Sequence, residues 1–315
     1  MLRVGTRCSK LALTQTHEVI KKIQEFDDRI KCEVVEIKTT GDIITDRPLV
    51  DIGGKALFLK EIEESLLSNK IDIAVHSLKD VPAILPDNLI IPAVTERIAS
   101  EDVLISKHSL LTLPSSSTIG TCSARRKAFL MHLLGNKINV VNIRGNVDTR
   151  ISKFKRGDVD GILLARAGLE RLGLSDCITE VISSDVMLPA IGQGVIAIEC
   201  REDRTDLISI LKAINHQQSY VCIMAERGFM IEMEGNCETP IAAFAKLKEN
   251  SIELKAAFIV PNGENVFSHS EAVLLDEVTS HEAIAHDLGV RVAQQIKSEM
   301  MKSEYFNEIK HLFET

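Results

Sequence analysis

Polar residues able to do chemistry gather where short apolar runs of this chain end. Arg7 and Ser9 follow the run from Leu2 to Thr6, and His76, Ser77, Lys79 and Asp80 follow IDIAV. Thr121 and Ser123 precede Arg125 and Arg126, and Arg144 and Asn146 close INVVNI. Such a run reads as a strand delivering side chains at its C-terminal end, where open α/β sheets bind ligands. Ser123 also has the chemistry of a helix cap, and the free N–H groups of a helix start favour an anion. Cations and amide donors therefore converge on an anion site, with Asp80 as the single carboxylate among them. Neighbouring cations keep such a carboxylate ionised. Taken alone, each arginine is more often solvated or paired with a nearby acid. The recurrence of Arg125 with Arg126, Arg144 with Arg150 and Arg166 with Arg171 is what points to a small polyanion.

Cys237 sits in EGNCETP, a turn between Gly235 and Pro240 that could present a thiol. An isolated cysteine is more commonly a small buried apolar residue. The seven cysteines are scattered, odd in number and without C-x-x-C, so neither a disulfide framework nor a zinc site is expected. Three apparent motifs fail. GQGVIA from Gly192 precedes a strand, whereas a dinucleotide fingerprint follows one. GGKA from Gly53 lacks phosphate-loop spacing, and HEAIAH from His281 is one residue too long for a zinc-binding helix.

The elements that must hold these residues alternate. Leu2 to Thr6 reads as a strand and Ser9 opens a helix with Ala12, Val19, Ile23 and Phe26 on one stripe. Cys32 to Thr39 alternates as a strand, a helix is expected from about Ala56 to Asn69, and IDIAVHS is a buried strand. Strand–helix repetition of this kind predicts a mainly parallel α/β sheet. A second αβ unit starts near Ser100, and VIAIECR is apolar enough to be a buried strand returning to the first sheet. From about Gln217 the pattern changes to a helix, two or three alternating strands and a closing helix from Ser280, a small α+β domain. At 315 residues, two or three domains are expected. The first lobe is placed at 1–95 with 194–215, the second at 98–190, and the C-terminal domain at 217–315.

Composition narrows the function. The net charge of −8, the absence of Trp and only 4% aromatics argue against a nucleic-acid surface. No apolar run reaches the ~18 residues of a membrane span, and the N-terminus lacks a signal-peptide core. A cytoplasmic protein is expected.

The segments GTRCSKLALTQ, TTGD, GGKALFLKE, DIAVHSLKDVP, GTCSARR, NIRGNVDTR, AGLERLGL, LPAIGQG, AERGFM and EGNCETPIAA occur in one order along the chain. Together they resemble the hydroxymethylbilane synthase (porphobilinogen deaminase) family from end to end. The resemblance implies two periplasmic-binding-protein-like α/β lobes with mainly parallel mixed sheets, plus a small C-terminal α+β domain. It implies a transferase of tetrapyrrole (haem-type) biosynthesis that condenses four porphobilinogen molecules head to tail with loss of ammonia. Hydrolysis then releases linear 1-hydroxymethylbilane. The implied cofactor is dipyrromethane, held as a thioether by Cys237, and the implied catalytic group is Asp80. By the same resemblance Arg125, Arg126, Lys79, Ser77, Thr121, Ser123 and Arg144 contact the cofactor. Arg7, Ser9, Arg150, Arg171, Lys55, Phe58 and Gln193 contact substrate. The segment from about Ile43 to Gly54 corresponds to a mobile lid that would exclude water. A monomer is implied, with porphobilinogen as the small-molecule partner and neither nucleic acid nor membrane. The alternative is a two-lobe module that binds a small polyanion and does no chemistry, which would need neither a loaded thiol nor Asp80.

Overall fold

A computed structural model of the chain describes residues 1–43, 59–235, 239–276 and 279–312. Lys55, Phe58, Cys237 and all of the expected lid beyond Ile43 lie outside the described residues. The chain opens with β1 (Leu2–Arg7), α1 (Lys10–Phe26), β2 (Cys32–Ile37), the short α2 (Thr40–Ile43), α3 (Lys60–Leu67) and β3 (Ile73–Ser77). Next come β4 (Leu89–Val94), β5 (Asp102–Ser106), β6 (Ser117–Gly120), α4 (Ala124–Leu134), β7 (Ile138–Val141) and α5 (Val147–Arg156). They are followed by β8 (Gly161–Ala165), α6 (Arg166–Arg171), β9 (Glu180–Ile182), β10 (Ile196–Arg201), α7 (Thr205–Ala213) and α8 (Gln217–Glu232). Strands β11 (Ile241–Lys248), β12 (Ser251–Ile259) and β13 (Val266–Leu274) precede α9 (His281–Met301).

The helix starts follow local chemistry. Ser9 caps α1, its Oγ accepting the Ala12 N–H at 3.2 Å, and Ser123 caps α4 by accepting the Arg126 N–H at 3.4 Å. Val19 and Ile23, four residues apart, are the buried stripe of α1. Helix α5 ends at Gly157, whose φ of 83° suits a left-handed C-terminal residue.

Two compact units are distinguished: Met1–Ile98 with Arg171–Gly173 and Gly194–Tyr220, and the remainder of the chain. In the first, the sheet order is β2-β1-β3-β10-β4. Strands β2, β1 and β3 are parallel, while β10 runs antiparallel to both its neighbours. Strand β10 is the VIAIECR run, which returns to this sheet as the sequence led us to expect. Helices α1 and α7 cover one face through Val4, Val19, Ile23, Val75 and Ile198. Helix α3 covers the other through Ile62, Leu66, Ile71 and Ala74.

The second unit repeats the plan. Its sheet order is β7-β6-β8-β5-β9, with β7, β6 and β8 parallel and β5 antiparallel to both neighbours. A three-stranded antiparallel sheet, β11-β12-β13, belongs to the same unit. One apolar core runs from Leu104, Ile119, Phe129 and Leu163 to Ala242, Ala257 and Ile259. Helix α9 packs on β12 and β13. It also meets α8 so closely that a Cβ on Gly289 would lie 2.1 Å from the Ala225 carbonyl oxygen. Two α/β sheets of mixed but mainly parallel strands, one in each unit, and a smaller α+β portion in the second are the fold class that the sequence implied.

Candidate active site

In the first unit the candidate residues stand at the C-terminal ends of β1 and β3, two parallel neighbours. Arg7 closes β1 and Ser9 caps the following helix. Ser77 closes β3 and shares a hydrogen bond with the Gln15 side chain on α1. Lys79 and Asp80 occupy a single 3-10 turn, Leu78–Asp80, and both are half-buried. Two bonds fix that turn. The Leu78 N–H donates to the Val195 carbonyl at 3.0 Å, and the Val81 N–H donates back to Leu78 at 3.0 Å. Leu78 itself is buried, so the Asp80 carboxylate is carried on a turn pinned from beneath. His76 lies inside β3 and is buried, as the reading of IDIAVHS as a buried strand implies, and so is not presented beyond the strand with Lys79 and Asp80. The Arg171 side chain also belongs to this unit. Its Nε donates to Glu18 at 3.0 Å and its Nη2 to the Gly194 carbonyl at 3.3 Å.

In the second unit the corresponding ends are those of β6 and β7, again parallel neighbours. Thr121 follows β6, and its Oγ1 accepts the Ser123 N–H at 3.2 Å. Arg125 and Arg126 begin α4 and turn inward to 4% and 5% exposure. Both meet Asp102, the first residue of β5, which is fully buried. Arg125 Nη1 donates to Asp102 Oδ2 at 2.6 Å and to the Leu188 carbonyl at 2.7 Å. Arg126 Nε and Nη2 both donate to Asp102 Oδ1, at 3.0 and 2.8 Å, and its Nη1 donates to the Leu163 carbonyl at 2.9 Å. Gln193 completes the group, its Nε2 donating to Asp102 Oδ1 at 3.0 Å and to the Ser100 carbonyl at 2.6 Å. The structure thus brings together Arg125, Arg126 and Gln193, three of the residues singled out from sequence.

Asp102 was not among the expected residues, and it corrects the count of one carboxylate among these cations. Burial alone would raise its pKa, but the two adjacent guanidinium groups hold it far below the usual carboxylate range. For Arg125, burial outweighs Asp102 and lowers the pKa from its ordinary value. Two guanidinium groups against one carboxylate leave this buried cluster a net positive charge. Arg125 Nε and Gln193 Oε1 are buried without a hydrogen-bond partner. Buried polar atoms are nearly always paired, so an orphaned Arg125 donor beside an excess cation suits an anionic group, while the Gln193 oxygen is left to accept an N–H or O–H.

Arg144 lies just beyond β7, and its carbonyl accepts from Lys153 Nζ at 3.2 Å. Arg150, on α5, is held by its Nε to the Gly145 carbonyl at 2.7 Å. Both residues are half-buried. Of the described cysteines, Cys200 and Cys222 are buried, and burial pushes the Cys200 thiol up to about 12, which keeps it protonated and inert. Among the described residues no cluster of His, Cys, Asp and Glu is arranged to hold a metal ion.

Comparison with known proteins agrees with this geometry. Residues 2–209 match the family described as porphobilinogen deaminase, dipyromethane cofactor binding domain. Residues 220–298 match the porphobilinogen deaminase C-terminal domain. The porphobilinogen deaminase of Ehrlichia chaffeensis is 43% identical over 307 residues, covering 97% of this chain and 99% of that protein. The Rickettsia bellii protein of the same name is 47% identical over 275 residues, covering 86% and 91%. Likeness to solved structures is weaker: a periplasmic substrate-binding protein from Coxiella burnetii aligns at TM-score 0.43 and 15% identity, covering 68% of this chain and 91% of that one.

Proposed function

The chain belongs to the porphobilinogen deaminase family, and we propose that within it Asp80 is the catalytic group and Cys237 the covalent anchor of the cofactor. The activity is that of a transferase, hydroxymethylbilane synthase. Four porphobilinogen molecules are condensed head to tail with loss of ammonia, and linear 1-hydroxymethylbilane is released by hydrolysis, in tetrapyrrole biosynthesis. A non-catalytic binder of small polyanions is not favoured, because the match runs through both family domains.

The observation that carries the assignment is the pinned turn bearing Asp80 at the sheet end where Arg7, Ser9 and Ser77 also lie. A carboxylate fixed there accepts a pyrrole N–H and stabilises the positive charge that spreads onto the pyrrole nitrogen as ammonia departs. Its preorganisation costs nothing at the moment of reaction, because the turn is held by Leu78 and not by substrate. Arg7 supplies positive charge for the acetate and propionate groups of the ring, and Lys79 and Ser77, beside Asp80, serve those of the cofactor.

The buried cation excess and the orphaned Arg125 Nε donor fit the carboxylates of a dipyrromethane, and the orphaned Gln193 Oε1 fits a pyrrole N–H. When bound, that cofactor supplies the free α-carbon at which the first porphobilinogen unit joins. Arg125, Arg126, Arg144, Thr121 and Ser123 would hold its carboxylates, and Cys237 would fix it by a thioether. Arg150, Arg171 and Gln193 are assigned to substrate, as are Lys55 and Phe58. The division into lobes at 1–95 with 194–215 and at 98–190, and a C-terminal domain at 217–315, is part of the same proposal. Its support is the pair of equivalent five-stranded sheets and the separate family match at 220–298. So is action as a cytoplasmic monomer without nucleic-acid or membrane partners, supported by the acidic charge of −8. No helix among the described residues is long and apolar enough to cross a membrane.

The test is Asp80→Ala. The variant should unfold at the parent's denaturant midpoint yet consume porphobilinogen at least about a hundredfold more slowly, the loss typical of removing one electrostatic stabiliser. Parent-like turnover would remove Asp80 from the mechanism.

A further inference from the structure

Beneath the Asp80 turn, in the layer between α3 and its sheet, lie three ionisable groups that the reaction as described does not use. His76 Nε2 and Glu199 Oε2 are 2.9 Å apart, and the two residues are 6% and 0% exposed. Glu63, on α3, is 6% exposed. One carboxylate oxygen of Glu199 and one of Glu63 are buried without a partner. The register explains how they meet. Ala197 is paired with His76 and Ala74 with Glu199, so His76 and Glu199 are diagonal neighbours on one face of β3 and β10. That face also carries Ala74, on which α3 packs, and Glu63, buried on α3, is close enough to interact electrostatically with Glu199 and His76. By strand alternation Arg3 and Arg7 of β1 and Arg201 of β10 are the strand cations on the same face, Arg3 being paired with Asp72 and Arg201 with Asp203.

We infer that His76, Glu199 and Glu63 form a positioning cluster that fixes the end of β3, and with it the Ser77–Asp80 turn, and that this cluster must hold a proton to do so. The inference rests on the reading of Asp80 given above. His76 is four residues before Asp80, and the His76–Glu199 hydrogen bond links the side chains of β3 and β10 at that end of the sheet. Two carboxylates and one imidazole in a dry layer tolerate at most one net negative charge, because a second buried anion would have neither water nor a hydrogen-bond donor. Glu63, whose buried oxygen has no donor, is therefore the group that holds the extra proton. Burial, reinforced by the Glu199 charge and opposed by His76, pushes Glu63 up to about 7, which agrees. When that proton leaves, repulsion acts between α3 and the strand that delivers Asp80.

The experiment measures kcat and KM for porphobilinogen as a function of pH in the holoenzyme and in three variants, with cofactor loading followed by intact mass. In the parent, kcat should fall as pH rises through neutrality while KM moves less than about twofold. Glu63→Gln, permanently neutral, should fold, load cofactor and lose that limb of the kcat profile. His76→Gln should lower kcat by about tenfold to a hundredfold at full cofactor loading, the range that a small displacement of a reacting group produces. Should His76→Gln fail to fold, Glu199→Gln, which keeps an acceptor toward His76, takes its place. A Glu63→Gln profile that superimposes on the parent's overturns the inference, as does parent-like kcat in folded His76→Gln or Glu199→Gln. Asp80→Ala in the same assay separates the two readings. If it retains turnover, the assignment of Asp80 fails by itself; if it is inactive while the cluster variants behave like the parent, only this inference fails.

Discussion

Replacing Asp102 by Asn perturbs the best-defined cluster of the second unit by a single charge. Four donor contacts converge on the Asp102 carboxylate within 3.0 Å: one from Arg125, two from Arg126 and one from Gln193. An asparagine there keeps one acceptor oxygen, turns an N–H toward a guanidinium group and leaves two buried cations without a counter-charge. Breaking a buried ion pair from one side costs about 3–5 kcal/mol, because the surviving charge stays desolvated. Against a total of roughly 5–15 kcal/mol for a folded protein, that is a large share. Urea unfolding at neutral pH should show the midpoint reduced at unchanged slope, the signature of lost stability without altered compactness. The pH dependence adds an independent check. Because the folded pKa of Asp102 is depressed, its contribution is complete above the unfolded value of about 4 and is lost as pH falls toward the folded one. The acid limb of the stability profile should therefore be shallower in Asp102→Asn than in the parent. A loss below about 0.5 kcal/mol with an unchanged acid limb would refute this reasoning, since an ordinary surface substitution produces as much.

Glu63 has the opposite sign. Its pKa is raised to about 7, so its stabilising contribution is present at acid pH and lost as pH rises from the unfolded value through about 7. Unfolding free energy of the parent should decline over that window by up to about 1.4 kcal/mol per pH unit, and Glu63→Gln should abolish the decline; equal slopes by urea titration would contradict it. Gly289→Ala places a Cβ 2.1 Å from the Ala225 carbonyl, where two helix backbones and not a flexible side chain must yield. It should cost about 1–3 kcal/mol in chemical denaturation with kcat unchanged, and a neutral result would mean that the helices separate freely.

Local chemistry was legible in the sequence wherever it depends on neighbours along the chain. Ser9 and Ser123 were read as helix openers, and their hydroxyls do cap α1 and α4. The returning strand was legible because five of the six residues of β10 are buried, which leaves a nearly continuous apolar run. Strand β4 is not legible in the sequence, because it follows the proline-broken segment LKDVPAILPDN and itself contains Pro92. It lies at the edge of its sheet, where proline is tolerated. Asp102 and Glu199 were missed for a different reason. A carboxylate at the start of a strand or inside one reads as a boundary or an exposed position, and only the tertiary partners Arg125, Arg126 and His76 make its burial affordable. The arginines themselves were visible as a recurring type. That two of them share one acid could not be read from spacing, because Asp102 is contributed by a different strand.

The account depends most on a covalent link between Cys237 and a dipyrromethane. Intact-mass spectrometry of the purified protein addresses it directly, with Cys237→Ser alongside. The parent should be heavier than its sequence by two pyrrole units derived from porphobilinogen, and the serine variant should show the bare mass. A parent at the bare sequence mass in active preparations, or an increment that survives in Cys237→Ser, would contradict it.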